Sequence, residues 1–257
     1  MKVKEEILNR SLGDSLSKIN TNIFMAEQSF VLLCALCEIN ISSLDPAFKP
    51  FFYTVTEFSR DNCFLYISKL YEKPNKKYPN ISIKTLLEDL QKVDLKDREE
   101  KGSQLNKSTI CEFLKKKNYN ISSNDSRECL NTIIDYFSNE LNTLEDKKVL
   151  EPFLAMRDKQ VAHTENCILT NEIGHGFTYE QFKESFKLLL EFAKEFYNVI
   201  TIFFGLRYAV TIGEFSNYDI SASLSLQKII EKISNKYREV LGSIGISEQF
   251  WPEFIRF

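Results

Sequence analysis

Turn-forming residues are scarce in this chain. Eight Gly and six Pro among 257 residues are too few for the repeated tight turns of a sandwich or barrel, so long helices are favoured over a β architecture. Histidine is scarcer still. With only two, at 163 and 175, the chain has no H-E-x-x-H pair, and it also lacks a paired-Asp motif and a glycine-rich phosphate loop. Metallohydrolases and NTPases are therefore left without support, and no metal or cofactor is expected. No run reaches the roughly 18 uncharged apolar residues of a membrane span; the stretch from Phe30 to Cys37 is too short. The opening Met1-Lys-Val-Lys-Glu-Glu lacks the apolar core and cleavage site of a secretory signal. The expectation is a cytoplasmic protein with no membrane contact.

Six cysteines occur, at 34, 37, 63, 111, 129 and 167. Only Cys34-x-x-Cys37 has a paired spacing, inside an apolar helical run and with no second pair. Small buried hydrophobes in a reducing compartment are expected rather than a zinc or redox site. The net charge of −3 and pI near 5.7 argue against a broad electrostatic footprint on duplex DNA. Two local basic runs, Lys115-Lys-Lys117 and Lys73, Lys76 and Lys77, have the composition to hold a phosphate backbone, although such runs are usually solvated surface.

What is present is helical spacing almost throughout, with 43% hydrophobic and 27% charged residues, an ordinary balance for one sizeable core. The pattern predicts a helix over about 3–20 continuing through 24–39. Asp45-Pro46 signals the start of a second helix reaching about Glu72, with Phe51, Val55, Phe58, Leu65 and Leu70 as its core stripe. Ser82 opens a short helix to about Val93. Residues 94–125 are polar and read as an insertion or mobile loop, helical only around Cys111 to Lys115. Asp125 caps a helix that buries Leu130, Ile133, Ile134, Phe137 and Leu141. Thr178 and Gln181 form a capping box before the longest amphipathic stretch, which carries Phe182, Phe186, Leu189, Ala193, Phe196, Ile200 and Phe203. A last helix is expected over 222–241, followed by the aromatic tail 250–257. The fold class is all-α.

The segment Arg157-Asp158-Lys159-Gln160-Val161-Ala162-His163, preceded by Pro152 in a helical first turn, breaks the apolar pattern. At about 100° per residue, Leu150, Phe153, Leu154 and Val161 fall within roughly 60° of Arg157, so a guanidinium occupies an apolar stripe and requires a partner. His163 lies about 120° away, beside Met156, so a straight helix cannot bring the two together on one face. For Arg157 the plain alternative is an ion pair with a core carboxylate such as Asp135 or Glu140; for His163 it is a histidine serving helix C-terminal carbonyls. His175, between two glycines, reads as loop.

An arginine, a polar residue and then a histidine, here with five residues between Arg157 and His163, resembles the signature of the HEPN superfamily. The string Phe153-Leu-Ala-Met-Arg-Asp-Lys-Gln-Val-Ala-His163-Thr-Glu165 is most similar to its abortive-infection, AbiU-like branch. The stretch Ile67-Ser-Lys-Leu-Tyr-Glu72 with Ile81-Ser-Ile-Lys-Thr-Leu-Leu-Glu-Asp-Leu90 also resembles the middle of that branch. The resemblance spans about 20–205. It implies a HEPN-like helical bundle with an insertion around 94–125 and further C-terminal helices, taken as one domain over 1–257 with 206–257 as an extension.

It further implies a metal-independent endoribonuclease of a phage-defence or toxin–antitoxin system. Its catalytic residues would be Arg157 and His163, with Asp158 orienting the guanidinium or a partner histidine. Family members pair two motif helices across a two-fold axis, so the resemblance implies a homodimer acting on RNA, tRNA or mRNA among them, and checked by an inhibitory antitoxin or defence partner. The alternative is a catalytically silent HEPN module that dimerises or binds nucleotide, RNA or a partner protein.

Overall fold

The structure is a computed structural model that describes residues 2–37, 49–74, 80–95, 105–119, 121, 125–157, 172–173 and 177–206, with backbone only for 2–11, 172–173 and 177. The helices are α1 (Lys2–Cys37), α2 (Lys49–Tyr71), α3 (Ile83–Leu90), α4 (Lys107–Lys116), α5 (Ser126–Asp146), α6 (Glu151–Met156) and α7 (Tyr179–Phe203). Strands β1 (Glu172–Ile173) and β2 (Phe177–Thr178) form a two-residue antiparallel ribbon. The fold is thus an all-α bundle with one minor ribbon, and the first helix runs unbroken where a pause near 20–24 was expected. The Asp45-Pro46 signal, the expected helix over 222–241 and the aromatic tail lie outside the described residues.

Two compact units are distinguished. The first is Met1–Ala26 with Phe64–Thr211, the second Glu27–Cys63 with Ile212–Phe257. In the first unit α4 packs on α5 and α7, and α3 packs on α5. Three of the faces involved, those of α3, α5 and α7, are written in the apolar spacing. Ile83, Leu86, Leu87 and Leu90 of α3 are buried. So are Leu130, Ile133, Ile134, Phe137 and Leu141 of α5, and the seven expected positions of α7. Phe137 meets Phe196 edge-on with centroids 5.1 Å apart, a geometry that adds to the area the rings bury.

The helix ends follow from capping chemistry. Ser82 Oγ accepts from Thr85 N, and Asp125 accepts from Arg127 N at 2.8 Å. Thr178 and Gln181 make the full reciprocal box before α7, so first-turn amides that the helix itself leaves unbonded are satisfied. Helices α4, α5 and α7 all stop in the same way. Asn118, Lys148 and Gly205 take positive φ, and Tyr119, Val149 and Leu206 then donate back to Leu114, Leu144 and Thr201. That is the Schellman turn, which usually places Gly at the left-handed residue.

Residues 107–116 correct the expectation of an insertion. Ile110 and Leu114 are buried, and Asn106 ties the segment to the end of α7 through its N–H to Phe203 O and its Nδ2 to Ile202 O, 3.1 and 3.0 Å. Lys117 also leaves the solvated-run reading, since its ammonium sits 2.9 Å from Glu195. Partial burial alone would lower the Lys117 pKa, but hydrogen bonds to Tyr136 and Glu195 outweigh it and raise it. Burial, and then the bond to Glu195, push Tyr136 up to about 12. The segment looks polar because five of the ten residues of α4 are lysine, serine or threonine and its apolar stripe is only two residues wide. We expect Leu114→Ala to cost about 2–5 kcal/mol in urea unfolding; a change below about 0.5 kcal/mol would restore the insertion reading.

In the second unit, α1 buries Phe30, Leu33, Cys34 and Leu36. The stripe of α2 is only in part the expected one, with Leu70 alone of its five positions buried. Phe51 and Phe58 are 57% and 65% exposed, and Val55 and Leu65 are only half-buried, whereas Phe52, Thr56, Ser59 and Cys63 are buried. The buried stripe is disguised by hydroxyls, which satisfy themselves by donating to carbonyls four residues back: Thr56 to Phe52 and Ser59 to Val55, both at 2.7 Å. Burial, then the neighbouring Cys34, Asp61 and Cys37, raise the Cys63 thiol well above its usual range, as expected of a structural cysteine. The described cysteines are all unbridged.

The part of α1 from Leu12 to Cys37 is long and apolar enough to cross a membrane by length and composition, and 61% of its apolar window is buried inside the protein. A core helix passes the same test.

Candidate functional site

The site is set by four phenylalanines in the first unit. Phe64 of α2, Phe153 of α6, and Phe182 and Phe186 of α7 form a cluster with centroids 5.4 to 6.2 Å apart. All four are buried. Pro152 in the first turn of α6, which pre-sets φ, and Phe153 in the cluster hold the described part of this helix. Ser68 Oγ donates to Phe153 O at 3.2 Å, tying α2 to α6 directly.

Four residues beyond Ser68 and Phe153, Glu72 and Arg157 face each other. Tyr71 is buried and its hydroxyl donates to Leu189 O in α7; burial raises its pKa well above the usual tyrosine range, so the donor form is favoured. Glu72 follows immediately. Arg157, at the C-cap of α6, puts Nη1 at 2.9 Å from Glu72 Oε1, with side chains 23% and 38% exposed.

Among the described residues, the partner demanded by Arg157 is Glu72. Asp135 and Glu140, named as alternatives from spacing, sit on the exposed face of α5. Glu72 was within the stretch Ile67–Glu72 singled out from the sequence, yet nothing local marks it as opposite Arg157, 85 residues away. Asp158, His163 and His175 lie outside the described residues, so of the three proposed catalytic residues Arg157 alone is placed. Among the described residues no group of three His, Cys, Asp or Glu could hold a metal ion.

Glu72 also lines an open cleft of about 350 Å³ in the same unit, together with Lys18, Thr21 and Asn22 of α1, Lys69 of α2 and Asn80. Lys73, the first of one basic run, is exposed nearby in sequence.

The sequence profile of AbiU2, a HEPN family, matches residues 37–203. The chain belongs to that family. The match ends at the last residue of α7, begins some way into the range from about 20 over which the likeness was read, and takes in both Glu72 and Arg157. No curated protein and no solved structure matches the chain. As a HEPN AbiU2 protein it is an abortive-infection HEPN domain, and the Arg157–Glu72 contact belongs to the portion shared with that family.

Proposed function

We propose that the chain is a metal-independent endoribonuclease of a cytoplasmic phage-defence or toxin–antitoxin system. The observation that supports it most is Arg157: a half-buried guanidinium held by Glu72 on the rim of an open cleft. His163, a side chain of the type that ordinarily titrates near neutrality, takes the proton from a ribose 2′-hydroxyl or returns one to the leaving group. The 2′-oxygen attacks the adjacent phosphorus, the P–O5′ bond breaks, and O5′ leaves protonated. The products are a 2′,3′-cyclic phosphate and a 5′-hydroxyl. Arginine's planar fork neutralises charge growing on the non-bridging oxygens, and Asp158 orients it or the histidine. One histidine does not serve as base and acid at once, so two copies meet across a two-fold axis and contribute one Arg–His set each. A partner protein restrains the activity.

A second reading is favoured by the same contact. If Glu72 engages Arg157 only to stabilise α6, the chain is a silent HEPN module that dimerises or binds RNA, nucleotide or protein. Incubation of the purified protein with total RNA and tRNA in EDTA separates the two. Cuts ending in 2′,3′-cyclic phosphate are expected; a folded protein that leaves varied RNAs intact belongs to the second reading.

A further inference from the structure

The cleft beside Glu72 has its own chemistry. Thr21 and Asn22 follow Lys18 by three and four residues on one face of α1, and Glu72, just past the end of α2, follows Lys69 of α2 by three. The ammonium of Lys69 rests 4.8 Å from the Tyr66 ring centroid, which orients a flexible side chain. Neither Lys18 nor Lys69 is in an ion pair with a described carboxylate, and the acidic wall of the cleft is already met by Arg157. Two lysines and one glutamate, with that glutamate balanced by Arg157, leave two positive charges facing about 350 Å³ of space. That volume is in the usual range of small-ligand sites.

A second feature is Asn80. Its Nδ2 donates to Lys73 O at 2.9 Å, which fixes which end of the amide is oxygen. Its buried Oδ1 has no hydrogen-bond partner among the described residues. An unmet buried acceptor of this kind is unfavourable until a donor reaches it. The cleft thus joins two lysines and the Asn22 amide, while its Thr21 hydroxyl already donates to Ser17 O.

We propose that this cleft is a nucleotide subsite, with Lys18 and Lys69 holding the phosphate of a nucleotide next to the one cut at Arg157. The inference rests on the ribonuclease reading for the identity of the strand. Lys18 lies outside the residues matched by the family profile, so half of the cationic pair lies outside the family-matched part of the chain. The source of the phosphate is an RNA strand rather than a free nucleotide, because Arg157, the residue assigned to the scissile phosphate, contacts the cleft wall itself.

The test uses the full chain and a fluorescent single-stranded RNA octamer, 2′-O-methylated throughout so that it cannot be cut, read by anisotropy across a salt series. Losing two phosphate contacts from a single strand lowers the salt slope by roughly 1.4 and weakens binding about 25-fold at 0.1 M salt. That result is expected for the K18Q/K69Q double variant, with circular dichroism unchanged and Lys18→Arg, Lys69→Arg restoring binding. Wild-type affinity and slope in the double variant would overturn the subsite, as would a wild type that binds neither the octamer nor adenosine 5′-monophosphate. Lysine-dependent binding of the octamer without competition by the mononucleotide assigns the cleft to a strand. Lysine-dependent binding of the mononucleotide alone keeps the phosphate subsite and moves its source to a free nucleotide. Because the octamer is uncleavable, cutting by the wild type with unchanged binding in the double variant removes the subsite alone. Lysine-dependent binding by a protein that cuts nothing in EDTA removes the ribonuclease reading alone.

Discussion

His163→Ala is expected to lower RNA cleavage about 10²–10⁴-fold, the usual contribution of a positioned general acid or base. Helical circular dichroism should be unchanged, as should the proposed dimer. An alanine removes the one group of the motif whose side-chain type ordinarily titrates near neutral pH. Cleavage at the wild-type rate in the variant would end the assignment of His163. A mixed dimer offers a sharper version. If each copy supplies one Arg–His set to a shared cleft, a heterodimer of wild type with His163→Ala should lose most activity rather than half.

Arg157 needs a different substitution, because the alanine variant removes a charge that Glu72 faces. The pair is partly exposed, so breaking it costs less than the roughly 3–5 kcal/mol of a fully buried one and more than the 0–1 of a surface pair. Arg157→Lys keeps the charge beside Glu72 but loses the planar fork. Cleavage is expected to fall about 10²–10³-fold, as for a lost donor to transition-state charge, with little change in the urea midpoint. Glu72→Gln should keep the fold and reduce cleavage less, since the amide still accepts one bond from the guanidinium. A large loss of stability in Arg157→Lys with residual activity scaling to the folded fraction would instead make the contact a structural one.

Much of this architecture is legible in the sequence where a helix has one apolar face and a standard cap. Helices α3, α5 and α7 are of that kind: Ser82, Asp125 and the Thr178/Gln181 box start them, and every apolar position expected on α5 and α7 is buried. Legibility fails where the signal is disguised. In α2, aromatics occur on both faces and the buried stripe contains Thr56 and Ser59, so hydropathy chooses Phe51 and Phe58, which are exposed. In α4, a two-residue stripe among lysines is too narrow to stand out, and its value depends on α5 and α7, which lie far along the chain.

Stops were harder than starts, since Lys148 fills a left-handed turn position that Gly usually marks. At the site, the sequence announces that Arg157 needs a partner but carries no distance information. The choice of Glu72 over Asp135 or Glu140 follows from Ser68, Phe64 and Tyr71 fixing the end of α2, a long-range fact that periodicity cannot express.

The four-ring cluster under α6 has a consequence for the life of the polypeptide before and after it is active. Three of the rings that hold the described turns of α6, Phe64, Phe182 and Phe186, come from segments distant along the chain. An emerging chain on the ribosome, a proteolytic fragment, or a bundle that has loosened locally would not display Arg157 against Glu72, because that display needs packing between distant segments. On the proposed ribonuclease reading, incomplete copies would be harmless to the host.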